Sequence, residues 1–149
     1  DMTCYLAESY YQLADYEKAE EIYDSLIAAD PGESRYYQLK GRCAREAGDY
    51  ERAMEIYKQG WEKTEDSLFL KDICDIYLEQ EDYENALAFT EQGIAAGGEN
   101  KGEFMYQKVI IYERSQDYEA AYEAVQEYCG LFPDDENAQK EMTFLSTRI

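Results

Sequence analysis

Asp15-Tyr16-Glu17-Lys18-Ala19 returns as Asp49-Tyr50-Glu51-Arg52-Ala53, as Asp82-Tyr83-Glu84-Asn85-Ala86 and as Asp117-Tyr118-Glu119-Ala120-Ala121. The steps between the aspartates are 34, 33 and 35 residues. A fixed period in that range marks a stack of small repeating units. Each residue of the pentad has a physical task. Asp suits a helix N-cap, where its carboxylate accepts from orphan backbone N–H groups. Glu two positions later sits in the first turn, where the helix dipole favours negative charge. Ala19, Ala53, Ala86 and Ala121 ask for a methyl-sized side chain at one fixed place, as a close crossing of two helices requires. The tyrosines are suited to burying a ring while the hydroxyl stays wet.

The residues around the pentads alternate at helical spacing. Cys4, Leu6, Ala7, Tyr10, Tyr11 and Leu13 predict one helix over residues 1–13; Ala19, Ile22, Tyr23, Leu26 and Ile27 predict a second over 16–29. Asp30-Pro31-Gly32 ends it, since proline cannot continue the hydrogen-bond ladder. The pair recurs as 34–47 with 50–63, as 67–80 with 83–96, and as 103–115 with 118–131, with Gly97 to Gly102 read as a loose connection. The repeats are therefore bounded at about 1–33, 34–66, 67–101 and 102–133 within a single domain spanning 1–149. In the tail, Ala138, Met142, Leu145 and Ile149 fall on one face and predict a helix that covers the last repeat, with Phe144 off that face.

These residues resemble a tetratricopeptide repeat array over essentially the whole chain. In that family the first helix carries a small residue and, three later, an aromatic. Here those places hold Ala7/Tyr10, Gly41/Ala44, Cys74/Tyr77 and Val109/Tyr112. The second helix carries the alanine and a large residue four later, here Tyr23, Tyr57, Thr90 and Val125. A proline near the repeat end is present as Pro31 and Pro133, with Glu65 and Gly98 in the other two places. Repeat three departs most, through Thr90 and Gly93. The resemblance implies an all-α fold: an α-solenoid with a right-handed superhelix, built from four helix–turn–helix repeats plus a C-terminal capping helix. It also implies a protein-interaction scaffold whose first helices line a concave groove for an extended peptide or a partner helix. The alternative is a structural spacer or self-association domain of a larger, membrane-anchored or soluble protein.

Composition narrows the partners. The formal charge is −20, which argues against nucleic acid and against anionic lipid. No apolar run approaches membrane-spanning length. The chain has no histidine, so histidine-based triads and metal sites are excluded. No nucleophile elbow, phosphate-binding loop or dinucleotide fingerprint occurs. The expectation is a protein that is not an enzyme, uses no cofactor or metal, and takes a protein or peptide partner rather than a small-molecule substrate. Cys4, Cys43, Cys74 and Cys129 show no zinc or redox spacing and read as small buried hydrophobes. Unpaired thiols point to the cytoplasm, or to an exported or lipid-anchored protein if a targeting segment precedes Asp1, which is not an initiator methionine.

Charge is unevenly shared. The four repeats carry −8, 0, −6 and −4, and the tail −2. Half of the 14 basic residues sit in the second repeat. There Arg35, Gln38, Arg42 and Arg45 recur at i, i+3, i+7 and i+10, one stripe of one helix. That stripe differs from the one holding Tyr37, Gly41 and Ala44, and so is expected to face the groove. With Lys71 it makes a strip for a carboxylate or phosphate, matched by the arginine fork. Tyr11, Leu78 and Tyr106 are expected to supply apolar walls. A competing reading pairs Arg42 with Glu8 and Asp75, which hold the same place in adjacent repeats. Family members that clamp a C-terminal carboxylate use lysine and asparagine where this chain has Cys4 and Glu8, so that activity is not implied.

Overall fold

The backbone N–H of Lys18 donates to the Asp15 carboxylate, that of Arg52 to Asp49, that of Asn85 to Asp82 and that of Ala120 to Asp117. All four pentad aspartates are therefore N-caps, as their sequence context predicts. The same residues also close the preceding helix. The N–H groups of Asp15, Asp49, Asp82 and Asp117 reach back 2.9 Å to the carbonyls of Tyr10, Ala44, Tyr77 and Tyr112. The residue before each aspartate is left-handed: Ala14 at φ 59°, Gly48 at 83°, Glu81 at 57° and Gln116 at 64°. This is the Schellman closure, so one aspartate ends the first helix and starts the second.

The computed structural model describes residues 1–149. It contains α1 (Met2–Gln12), α2 (Tyr16–Ala29), α3 (Ser34–Glu46), α4 (Tyr50–Thr64), α5 (Leu68–Glu79), α6 (Tyr83–Ala96), α7 (Lys101–Arg114), α8 (Tyr118–Leu131) and α9 (Glu136–Ser146), with no strand. The all-helical expectation holds. The chain divides into two compact units, Asp1–Ile76 and Tyr77–Ile149.

In the first unit, Ala7, Ala19, Tyr23, Leu26 and Cys43 form one buried cluster, with Tyr36 and Leu39 of α3 packed on it. Ala19 and Ala53 are fully buried, as a close crossing demands. Gly41 of α3 lies under the Tyr57 ring of α4, and Gly60 of α4 under the Phe69 ring of α5. A single Cβ at Gly41 would meet that ring at 2.2 Å, so glycine is there for close approach. Tyr23, placed on the apolar stripe by its spacing, is fully buried, and its hydroxyl has no hydrogen-bond partner.

In the second unit, Val109, Ala121, Ala124, Val125, Ala138 and Leu145 form the buried cluster. Thr90 is fully buried, its hydroxyl donating to the Ala86 carbonyl at 2.9 Å, and Gly93 sits beneath the Phe104 ring. The divergent residues of repeat three are thus packed positions. Helix α7 starts earlier than expected, at Lys101, and takes in Gly102. A Cβ on Gly102 would meet the Phe132 ring at 2.8 Å, so this glycine serves contact and not loop freedom. Ala138 and Leu145 are buried in the tail helix as expected, with Met142 packed beside them. Ile149 lies beyond the end of α9 and is exposed, so it leaves the shared face.

Candidate functional site

The stripe on α3 begins at Arg35, whose backbone N–H donates to the Glu33 carboxylate at 3.1 Å. Its side chain lines a small cavity of about 150 Å³ with Asp1, Cys4, Tyr5 and Glu8 of the α1 end. Gln38 is half-buried one turn on. Arg42 is engaged with α1. Its Nη2 donates to Glu8 Oε2 at 2.9 Å and to Oε1 at 3.2 Å, and its guanidinium lies 4.1 Å from the centre of the Tyr11 ring. A charged group on an aromatic face and a carboxylate at once is well held. Its Nε is buried without a hydrogen-bond partner.

Arg45 and Lys71 act on Asp72 of α5. Burial pushes the Asp72 carboxyl up to about 6, Asp75 pushes it further the same way, and Arg45 and Lys71 oppose both. The surface shared by α1, α3 and α5 in the first unit therefore alternates in sign: Glu8 and Arg42, then Arg45, Asp72, Lys71 and Asp75. Two more ion pairs bind the second repeat to the first, Lys40 with Asp24 at 2.6 Å and Arg52 with Glu20 at 2.5 Å. Glu20 is buried, and that burial raises its carboxyl pKa against the pull of Arg52 and Lys40. Much of the second repeat's positive charge is thus met by the first repeat's negative charge.

Tyr11, Arg35, Gln38, Arg42, Arg45 and Lys71 all fall in the first unit. Leu78 and Tyr106 fall in the second. Leu78 is buried. The Tyr106 ring meets Tyr128 edge-on at 5.2 Å. Burial raises the Tyr106 hydroxyl, with Glu141, Glu113 and Asp135 adding to it.

One pair escaped the sequence reading. Glu113 of α7 is hydrogen-bonded to Glu141 of α9, and burial together with that bond pushes Glu113 up to about 7. Counting from the pentad aspartates, Glu113 holds the place of Arg45. By the helix N-caps, Glu141 likewise holds the place of Leu39, and hence of Asp72. The repeat register that exposed Arg42 and Glu8 contained this signal as well.

Comparison with known proteins agrees with the architecture. The family model described as tetratricopeptide repeat matches residues 6–61 and 72–136. No curated protein matches. Among solved structures, MamA from Desulfovibrio magneticus RS-1 superposes with a TM-score of 0.68 at 17% identity, over 99% of this chain and 83% of that one. PilF of Pseudomonas aeruginosa gives 0.70 at 15% identity, over 99% of this chain and 68% of that one. The type III secretion translocator chaperone SycD of Yersinia enterocolitica gives 0.59 at 20% identity, over 77% and 84%. At these identities the structures share a fold. The repeat register, the capped helix pairs and a family match over most of the sequence lead to one assignment: the chain belongs to the tetratricopeptide repeat family.

Proposed function

We propose that the chain is a protein-interaction scaffold, and that its first unit takes an extended peptide or partner helix on the surface of α1, α3 and α5. Arg35, Gln38, Arg42, Arg45 and Lys71 provide the polar contacts and Tyr11 an apolar wall; Tyr106 offers a separate aromatic patch in the second unit. The observation that carries this reading is the neutral second repeat in a chain of charge −20, with three arginines on one helix stripe. An otherwise acidic surface repels acidic partners and tolerates one whose negative group lands on that stripe. Glu8 already engages Arg42, so a ligand carboxylate would compete with it there, while Arg35 offers its charge at a cavity rim.

Selection of displayed peptides on the wild-type chain tests this. Enriched ligands should carry an acidic group, weaken as salt rises and bind Arg35→Glu at least tenfold less well. Arg42→Ala should also weaken them while the melting temperature moves little. Equal recovery on wild type, Arg35→Glu and Arg42→Ala would remove the arginine stripe from the function.

A further inference from the structure

Two buried donors meet beneath the clasp between α1 and α3. Arg42 Nε–H has no hydrogen-bond partner, and neither has the hydroxyl of the fully buried Tyr23 on α2. Tyr23 shares its cluster with Ala7, the residue before Glu8, and with Cys43, the residue after Arg42. Burial pushes its hydroxyl pKa up, Glu8 adds to that as the foremost charged group acting on it, and Arg42 opposes both. An unpaired buried donor is costly, and native interiors hold few of them. Two of them beside one movable carboxylate point to a second position for that carboxylate.

Glu8 turns both of its oxygens on a single nitrogen, Arg42 Nη2, at 2.9 and 3.2 Å. An arginine fork holds a carboxylate best through two nitrogens, one oxygen on each. The Nε side of the fork goes unused in the present contact. The Glu8 side chain is 39% exposed, so packing does not lock it there. Turned inwards, it would set one oxygen on Arg42 Nε and accept from the Tyr23 hydroxyl with the other. Both donors are then satisfied, and the outer side of Nη2 is clear. The inward position also takes the carboxylate further from water, which is unfavourable on its own. Without a ligand the outer contact therefore holds.

We infer that Glu8 has these two positions, and that Tyr23 is a positioning residue that receives it inwards when a ligand carboxylate takes Arg42 Nη2. Tyr23 in this role presupposes the acidic ligand proposed above, and it supplies what such a ligand needs, a place for the displaced charge. A ligand carboxylate beside an unmoved Glu8 would put two anions on one face of one cation. With Glu8 inwards, the two carboxylates approach the guanidinium from different sides. Arg42 stays stacked on the Tyr11 ring, and Arg35, which lines the same cavity as Glu8, brings a second positive charge. Tyr23 touches no ligand; it acts through Glu8 and Arg42.

Ligand-free stability tests the first half. Tyr23→Phe removes a hydroxyl that has no partner and should melt at or above the wild-type temperature. Tyr37→Phe strips the donor from the Pro31 carbonyl, now 3.0 Å away, and should melt lower. A lower melting temperature for Tyr23→Phe would mean that its hydroxyl is already bonded, and would overturn the proposal. The second half is read by nuclear magnetic resonance. The probe is acetyl-Gly-Asp-Gly-amide, whose one carboxylate is the aspartate side chain, titrated against isotope-labelled protein. The Arg42 Nε–H signal should move downfield as Glu8 reaches it. Tyr23→Phe should weaken the peptide about threefold or more, the lower range of coupling between residues in contact. Tyr37→Phe should bind like wild type. In a Glu8→Ala background Tyr23→Phe should change nothing, because the group it receives is gone. Equal affinity of wild type and Tyr23→Phe, or an undiminished loss in the Glu8→Ala background, would overturn the proposal while shifts at Arg35 and Arg42 still upheld the acidic ligand. Silence of every arginine on the stripe in the wild-type titration would remove the acidic ligand and this role for Tyr23 together.

Discussion

Glu113 and Glu141 share a hydrogen bond, carboxyl to carboxylate, between α7 and α9. Such a bond needs one proton, and Glu113 keeps it well above its ordinary value of 4.5, to about 7. The folded state therefore binds more protons than the unfolded state across that window, and stability falls as pH rises through it. The pair's contribution is complete below about 4.5 and gone above about 7. Glu113→Gln retains a donor and does not titrate. It should melt like wild type at pH 4 and become more stable than wild type by about 1 kcal/mol at pH 8, discounted because solvent reaches the pair. A stability difference that is constant from pH 4 to pH 8 would contradict this.

Gly41 and Gly130 are both helical, yet only Gly41 lies beneath a ring. Alanine favours a helix over glycine by about 1 kcal/mol. At Gly130, where a Cβ meets nothing within 4 Å, that gain should appear in denaturant titrations almost in full. Gly41→Ala should instead lose about 1–3 kcal/mol, because the buried Tyr57 ring cannot step aside. Equal effects at the two positions would mean the α3–α4 contact is looser than described.

Gln116 pays a left-handed backbone penalty at the α7–α8 turn that Gly48 avoids at the α3–α4 turn. Gln116→Gly should raise stability by about 0.5–1 kcal/mol, since that conformation costs a non-glycine residue more than the extra chain entropy of glycine. Asp117→Ala should cost about 1 kcal/mol through the lost N-cap. Thermal melts of the two variants should move in opposite directions.

Cys43 and Cys74 are buried, and burial pushes the Cys43 thiol up to about 11. Cys4 and Cys129 are half-buried. A bulky maleimide should therefore modify Cys4 and Cys129 within minutes in the native protein, and Cys43 and Cys74 only as the chain opens. Mass spectrometry of timed samples reads the order directly.

The sequence was most legible where one residue meets one local demand. The pentad aspartates cap, the pentad alanines pack, and the period fixes the helix pairs; each depends on neighbours within a turn or on a single small volume. It was less legible where two non-local residues decide together. Nothing in Ala14, Glu81 or Gln116 announces a positive φ, because the Schellman closure imposes it and only Gly48 carries the usual mark. Gly102 reads as loop until Phe132 is seen against it. Tyr23 reads as one more member of the apolar stripe, and that spacing does not say that its hydroxyl is enclosed without a partner. Of the arginine stripe, register alone foresaw Arg42 beside Glu8. The same counting foretells Glu113 beside Glu141, but two like charges do not suggest adjacency until a shared proton is admitted.

The seams between successive repeats are keyed by size. Gly60 receives Phe69, and Gly93 receives Phe104. At the last seam the order inverts, with the large Tyr128 on α8 and the small Ala138 on α9. Repeats that share a pentad are for this reason not interchangeable parts. Joining α6 directly to α9 would set Gly93 against Ala138 and leave a void, and joining α8 to a copy of α7 would drive Phe104 into Tyr128. The linear order of the units is written into the volumes at their borders, so recombination within this gene can duplicate or delete units only where the two halves of a lock still match.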